Sequence, residues 1–129
     1  MKIPTELKYS RDHEWVKIEG TRVRVGITDY AQSQLGDVVF VEVPAVDSTI
    51  AVGAVFSVVE SVKAVSDIYA PVSGVIVSVN ETLTDMPETM NADPYGEGWL
   101  VVIEITDQAD LDTLLSSDEY EKMIADGGH

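Results

Sequence analysis

Five short runs rich in valine and isoleucine, TRVRVGI, DVVFVEV, AVFSVVES, GVIVSVN and WLVVIEI, lie along this chain with turn residues between them. β-Branched side chains lose freedom against a helical turn but pack well on a pleated surface, so such runs read as strands. TRVRVGI alternates cleanly, with Arg22 and Arg24 on one face and Val23 and Val25 on the other, as a half-buried strand requires. Strands this short and this closely spaced predict an antiparallel sandwich or flattened barrel. Helical signals are few and peripheral. Thr28 and Asp29 can cap a short helix, AQSQL, which Gly36 ends. Thr106 predicts an N-cap for DQADLDTLL, and Ser116 with Glu119 has capping-box spacing before YEKMIA. The closing Gly-Gly-His reads as a frayed tail.

At 129 residues the chain is expected to be one domain, 1–129, and 45% apolar residues suffice for a real core. The longest apolar runs are far too short to span a bilayer. Met-Lys-Ile-Pro-Thr lacks the apolar core of a signal peptide and the arginine-rich character of a transit peptide. The absence of cysteine excludes a disulfide framework, thiolate catalysis and thiolate metal sites. Eight basic residues face 23 acidic ones, leaving a net charge of −15. That argues against nucleic acid and anionic membranes, whose phosphates need lysine and arginine. The expectation is a soluble intracellular monomer that meets its partners through their basic patches.

The distribution of charge is sharper than its total. From Val25 to Glu121 the sole basic residue is Lys63, where an average composition would put roughly a dozen. Lys63 stands in VVESVKAVSDIYAPVSG, with Pro71 and Gly74 behind it. A weak repeat brackets it: GAVFSVV starts at Gly53 and GVIVSVN at Gly74, which predicts a quasi-two-fold pair of hairpins with the lysine at the tip. A lysine can pair with a carboxylate, act as a base or Schiff-base former, or accept a modification. Glu60 and Asp67 offer the first, which leaves the isolation unexplained. The second needs burial or a neighbouring cation, and an acidic turn supplies neither. Acceptance of a modification fits best, because a lone exposed amine can be found by another enzyme without confusion.

ESVKAVSDIYAPVSG resembles the lipoyl-lysine motif of the glycine cleavage H-protein family, with Lys63 at the attachment position. YSRDHEWV at 9–16, VGITDYAQSQLGDVVFVEVP at 25–44, NADPYGEGWL at 91–100 and SSDEYEKM near the end also resemble segments of that family, in the same order. The resemblance covers almost the whole chain. Only DSTIAVGAVF at 47–56 is less charged than is usual in the family. Biotin carriers typically flank their lysine with methionines, and lipoyl domains of 2-oxoacid dehydrogenases place aspartate before it; here Val62 and Ala64 flank Lys63.

The resemblance implies a mainly β hybrid barrel-sandwich with short flanking and C-terminal helices, and a lipoyl-binding core over 22–104. It implies lipoate bound covalently to Lys63 and no catalysis by the chain itself. The aminomethyl group of glycine would pass from the P-protein, a pyridoxal-phosphate glycine decarboxylase, to the T-protein, an aminomethyltransferase. The L-protein, a dihydrolipoyl dehydrogenase, would reoxidise the arm, and lipoate-attaching enzymes would load the lysine. The location implied is the bacterial cytoplasm, or the mitochondrial matrix for a processed eukaryotic form. Glu60, Ser61, Val62, Ala64 and Gly74 are then candidates for recognition and hairpin geometry. The cargo carries an ammonium, so a carboxylate near the arm's resting place would hold it. Glu14, beside Trp15 as an apolar wall, is the first candidate, with Asp12 and Asp67 behind it.

Plainer roles are expected elsewhere. His13 reads as structural, Trp15 and Trp99 as core or cleft wall, and Asn91, Asp93, Tyr95, Gly96 and Gly98 as a turn before the last strand. Asp85 and Glu88 lack the dense ligand loop that calcium needs. Two rival functions stay open at this point: a relay that hands lipoyl or octanoyl groups to other proteins, and an adaptor whose hairpin binds a partner unmodified.

Overall fold

The computed structural model describes residues 1–127, so the end of the Gly-Gly-His tail lies outside the described residues. Among the described residues nine strands form two sheets. The first has six strands in the order β1 (Lys8–Tyr9), β2 (Glu14–Glu19), β3 (Arg22–Ile27), β9 (Val101–Ile105), β8 (Gly74–Val79) and β5 (Thr49–Ile50). The second has three, in the order β4 (Val38–Glu42), β6 (Val55–Ser61) and β7 (Val65–Tyr69). Every pairing is antiparallel, as expected of short strands joined by turns.

The alternation read in β3 is realised. Val23 and Val25 are fully buried, while Arg22 and Arg24 face outward across β2 and β9. Valines, isoleucines and leucines from both sheets interdigitate in the main core, closing a flattened barrel-sandwich. A second cluster of Leu7, Tyr9, Trp15, Leu115 and Tyr120 sits between β1, β2 and the C-terminal helix. Among the described residues no helix is long and apolar enough to cross a membrane.

Helix α1 (Asp29–Leu35) starts and stops as its sequence requires. The Thr28 hydroxyl accepts from the Ala31 amide, and Gly36 ends the helix at φ 78°, a backbone angle that favours glycine. Two single turns follow, α2 (Thr82–Asp85) and α3 (Thr89–Ala92). The C-terminal helix α4 (Ser117–Ala125) carries the full Ser116–Glu119 capping box.

Two expectations need correction. DQADLDTLL forms a 3-10 segment over Gln108–Thr113 capped by Asp107, whose carboxylate accepts from the Ala109 amide. Thr106 is instead tied by its own amide to the Ser73 carbonyl. The repeated strands also do not form a pair of hairpins. GAVFSVV supplies β6 of the small sheet and GVIVSVN supplies β8 of the large one. Similar valine-rich strands suit both sheets, so their likeness reflects burial, not symmetry.

Candidate functional site

Lys63 stands at the tip of the β6–β7 hairpin. The Ser61 amide donates to the Ala64 carbonyl at 2.8 Å, leaving Val62 and Lys63 as the two central residues. The Ser61 hydroxyl oxygen accepts from the Lys63 and Ala64 amides at 3.3 and 3.1 Å, so a local side-chain turn sets the tip. Neither central residue has a positive φ, so no glycine is needed there. Val62, Lys63 and Ala64 are all exposed. The ion pairs among the described residues are Arg22–Glu104 and Arg24–Glu19, so Lys63 pairs with neither Glu60 nor Asp67.

The tip does not stand free of the body. The Val62 amide donates to the Asp37 carbonyl at 3.0 Å, across to the turn between α1 and β4. The Lys63 stem lies over Gly36: a Cβ there would sit 3.4 Å from Lys63 Cε. Asn91 locks that turn. Its amide nitrogen donates to the Gly36 carbonyl at 2.9 Å and to Gln32 Oε1 at 3.0 Å, and its Oδ1 accepts from the Val38 amide at 2.8 Å.

A groove of about 260 Å³ opens beside the hairpin. Ala64, Val65 and Ser66 form its near edge, Ile27, Leu35 and Ile68 an apolar floor, and Asp12 with His13 its polar end. Asp12 and His13 belong to a tight turn before β2. The Ser10 hydroxyl anchors it, accepting from the Asp12 and Glu14 amides, and His13 adopts φ 70°. His13 Nδ1 lies 2.8 Å from the Tyr120 hydroxyl, which lies 2.7 Å from Thr28 Oγ1. The structural role expected of His13 is therefore present, although its ring also lines the groove.

Glu14 is the unusual residue. It is 1% exposed, and the Ser10 hydroxyl donates to its Oε1 at 2.5 Å. Burial pushes its carboxyl up to about 8, with the Asp12 charge adding to the rise, against hydrogen bonds from Ser10 and the Tyr69 backbone. A carboxyl in this state holds a proton at neutral pH until a cation arrives.

The other candidates separate. Neither Trp15 nor Glu14, the pair expected to form the cleft, lines the groove. Adjacent strand residues point to opposite faces, so Trp15 turns into the second cluster and donates to the Pro94 carbonyl at 2.8 Å. Asp67 is exposed on β7 opposite Val58, and half-buried Glu60 pairs across β6–β7 with Val65. Gly74 lies in the large sheet, away from the hairpin, where a Cβ would come 2.1 Å from the Glu104 carbonyl oxygen. The close approach expected of Gly74 is real, but its neighbours are β8 and β9. Asp93, Gly96 and Gly98 make the expected turn, with the Gly96 and Gly98 amides donating to the Asp93 carbonyl. Tyr95 and Asn91 reach out of it, to the chain start and to the α1–β4 turn. Sequence reasoning missed Ser10, Gln32, Gly36 and Asp37, because their roles depend on which loops meet.

The model of the glycine cleavage H-protein family matches residues 7–127. The chain belongs to that family. It is similar to the glycine cleavage system H protein of Staphylococcus haemolyticus, 56% identical over 126 residues that span 98% of this chain and 100% of the relative. It is likewise similar to that of Carboxydothermus hydrogenoformans, 53% identical over 126 residues and 97% of the relative. A crystal structure of a glycine cleavage system H protein from Mycobacterium marinum superposes with a TM-score of 0.89 at 43% identity, over 95% of this chain and 99% of the other. Members of the family are non-catalytic lipoyl carriers of the glycine cleavage system, with lipoate held covalently on a lysine. That removes the unmodified adaptor. The residues around the hairpin fit such a group: an exposed amine, a bare glycine beneath its stem, and an adjacent groove that is apolar along its floor and acidic at its end.

Proposed function

We propose that Lys63 is the lipoate attachment site and that the groove beside it is the resting place of the arm. The observation that carries this reading is the lone lysine, exposed at a hairpin tip, unpaired by carboxylates and bordered by a matching groove. Attachment requires a nucleophilic Nζ and an activated lipoyl carboxyl. The Nζ lone pair forms the amide C–N bond, the nitrogen loses a proton, and the activating group departs with the electron pair of its broken bond to the carbonyl carbon.

When bound, lipoate supplies a dithiolane that takes up the aminomethyl group of glycine and releases it again. The chain itself binds, shields and orients. Ile27, Leu35 and Ile68 offer apolar contact to an acyl chain, which excludes water from the bound end. Asp12 presents a negative charge at the groove end, where the cargo's ammonium would approach. Residues 22–104 form the lipoyl-binding core of a single domain in this reading. Glu60, Ser61, Val62 and Ala64 meet the lipoate-attaching enzyme. The partners are the P-protein, T-protein and L-protein, and the setting is the bacterial cytoplasm, consistent with bacterial relatives.

Lys63→Arg tests the proposal. Arginine keeps the charge but not the acylatable amine. Expressed with lipoate and a lipoate-attaching enzyme, wild type gains the lipoyl mass on the peptide containing Lys63, and the variant gains none while keeping its fold. A variant that is still lipoylated, or still supports glycine cleavage, overturns the assignment.

A further inference from the structure

We infer that Asn91 is a positioning residue for modification: with the Gly36–Asp37 turn it forms a bracket holding the Lys63 hairpin tip in the pose that a lipoate-attaching enzyme accepts. This rests on the reading of Lys63 as the attachment site. It adds a requirement that the hairpin motif alone does not contain.

A two-residue hairpin closed by its own hydrogen bonds is locally rigid but can rock about its base. The rocking of this one is opposed at two points. The Val62 amide is held by the Asp37 carbonyl, and Val38 pairs with Ser61 where β4 meets β6. Asn91 supports both. Its Oδ1 accepts from the Val38 amide, and its nitrogen draws in the Gly36 carbonyl, one residue before Asp37. The orientation of the amide is fixed by these partners, since an amide N–H needs an acceptor and a carbonyl needs a donor. Gln32, held to Asp29 by its own side chain, ties the same nitrogen to α1. The lysine stem rests over the bare α-carbon of Gly36, at ordinary van der Waals distance (3.4 Å) from where a Cβ would stand, and the turn's φ of 78° favours glycine there.

Lysine has a long flexible stem, so a foreign active site can fix Nζ only if the backbone beneath it is already placed. Displacement of a reacting group by about 1 Å can lower a rate by up to a hundredfold. Twenty-eight positions separate Lys63 from Asn91, which lies in a different part of the chain and touches it only through the turn.

Asn91→Asp is the discriminating variant. It keeps an acceptor for the Val38 amide but places an oxygen against the Gly36 and Gln32 oxygens. Gly36→Ala strains the same turn through its φ of 78° and serves if the first variant does not fold. Initial lipoylation rates are measured against carrier concentration with lipoate, ATP and a lipoate-attaching enzyme. Amide exchange is followed at Val62 and at Val59, and acetylation of Lys63 by a small acylating reagent is the control. The expected result is a fall in kcat/KM of roughly ten- to a hundredfold with KM raised. Val62 exchange quickens, while Val59 exchange and chemical acetylation stay as in wild type. Wild-type lipoylation despite fast Val62 exchange overturns the inference, as does unchanged Val62 exchange, or loss of Val59 protection in step with the rate. Wild type modified elsewhere than Lys63 would instead overturn the attachment reading itself.

Discussion

Glu14 is the residue whose chemistry depends most on its surroundings. In the sequence it is one carboxylate among many; in the fold it is buried against the Ser10 hydroxyl with a carboxyl pushed up to about 8. Its folded value lies above its unfolded one, so the native state binds the extra proton between them. The stability this gives is fully present below about pH 4.5 and is lost as pH rises toward about 8. Across that window the loss is up to about 4 kcal/mol. Glu14→Gln cannot titrate, so its stability should gain on wild type steadily from pH 5 to pH 8. Urea unfolding at several pH values measures this, and parallel curves for the two proteins would refute it. The neighbouring tyrosines behave alike: burial raises Tyr9 and Tyr120, so both stay neutral hydrogen-bonding groups in the second cluster.

At the scale of elements, the sequence carried the strands and most caps because those depend on neighbours within a few residues. It misassigned Gly74. The glycine was read as part of the lysine hairpin, since it follows Lys63 in one motif, yet it begins β8 between Ile50 and Ile105. A Cβ there meets the Glu104 backbone oxygen and Ile103 Cγ2, and backbone cannot swing aside. Gly74→Ala should therefore destabilise the fold by about 1–3 kcal/mol by prising β8 from β9. The folded fraction should still be lipoylated at the wild-type rate, because the β6–β7 hairpin is in the other sheet. Chemical unfolding with the same midpoint as wild type would show that the strands accommodate the methyl group.

For the whole molecule, a net charge of −15 with Lys63 alone in its long acidic stretch makes electrostatics the long-range contribution to docking. Salt screens charges over about 8 Å at physiological strength, so association with basic partner surfaces should slow about tenfold or more between low and high salt. Stopped-flow binding to a partner enzyme of the glycine cleavage system reads this directly, and a salt-independent rate would assign docking to apolar contact instead. The sequence by itself determined the β class, the capped helices and the family, and singled out Lys63 as the lone cation of a long stretch, because alternation, caps and an isolated charge are local facts. Only the tertiary structure decided that Glu14 is buried and Trp15 faces away from it, and that Gly74 belongs to another sheet. It alone brought Asn91, from one loop, to the Gly36–Asp37 turn beneath the lysine of another. Those outcomes depend on burial and on contacts between distant segments, which exist only once the two sheets have closed on their core.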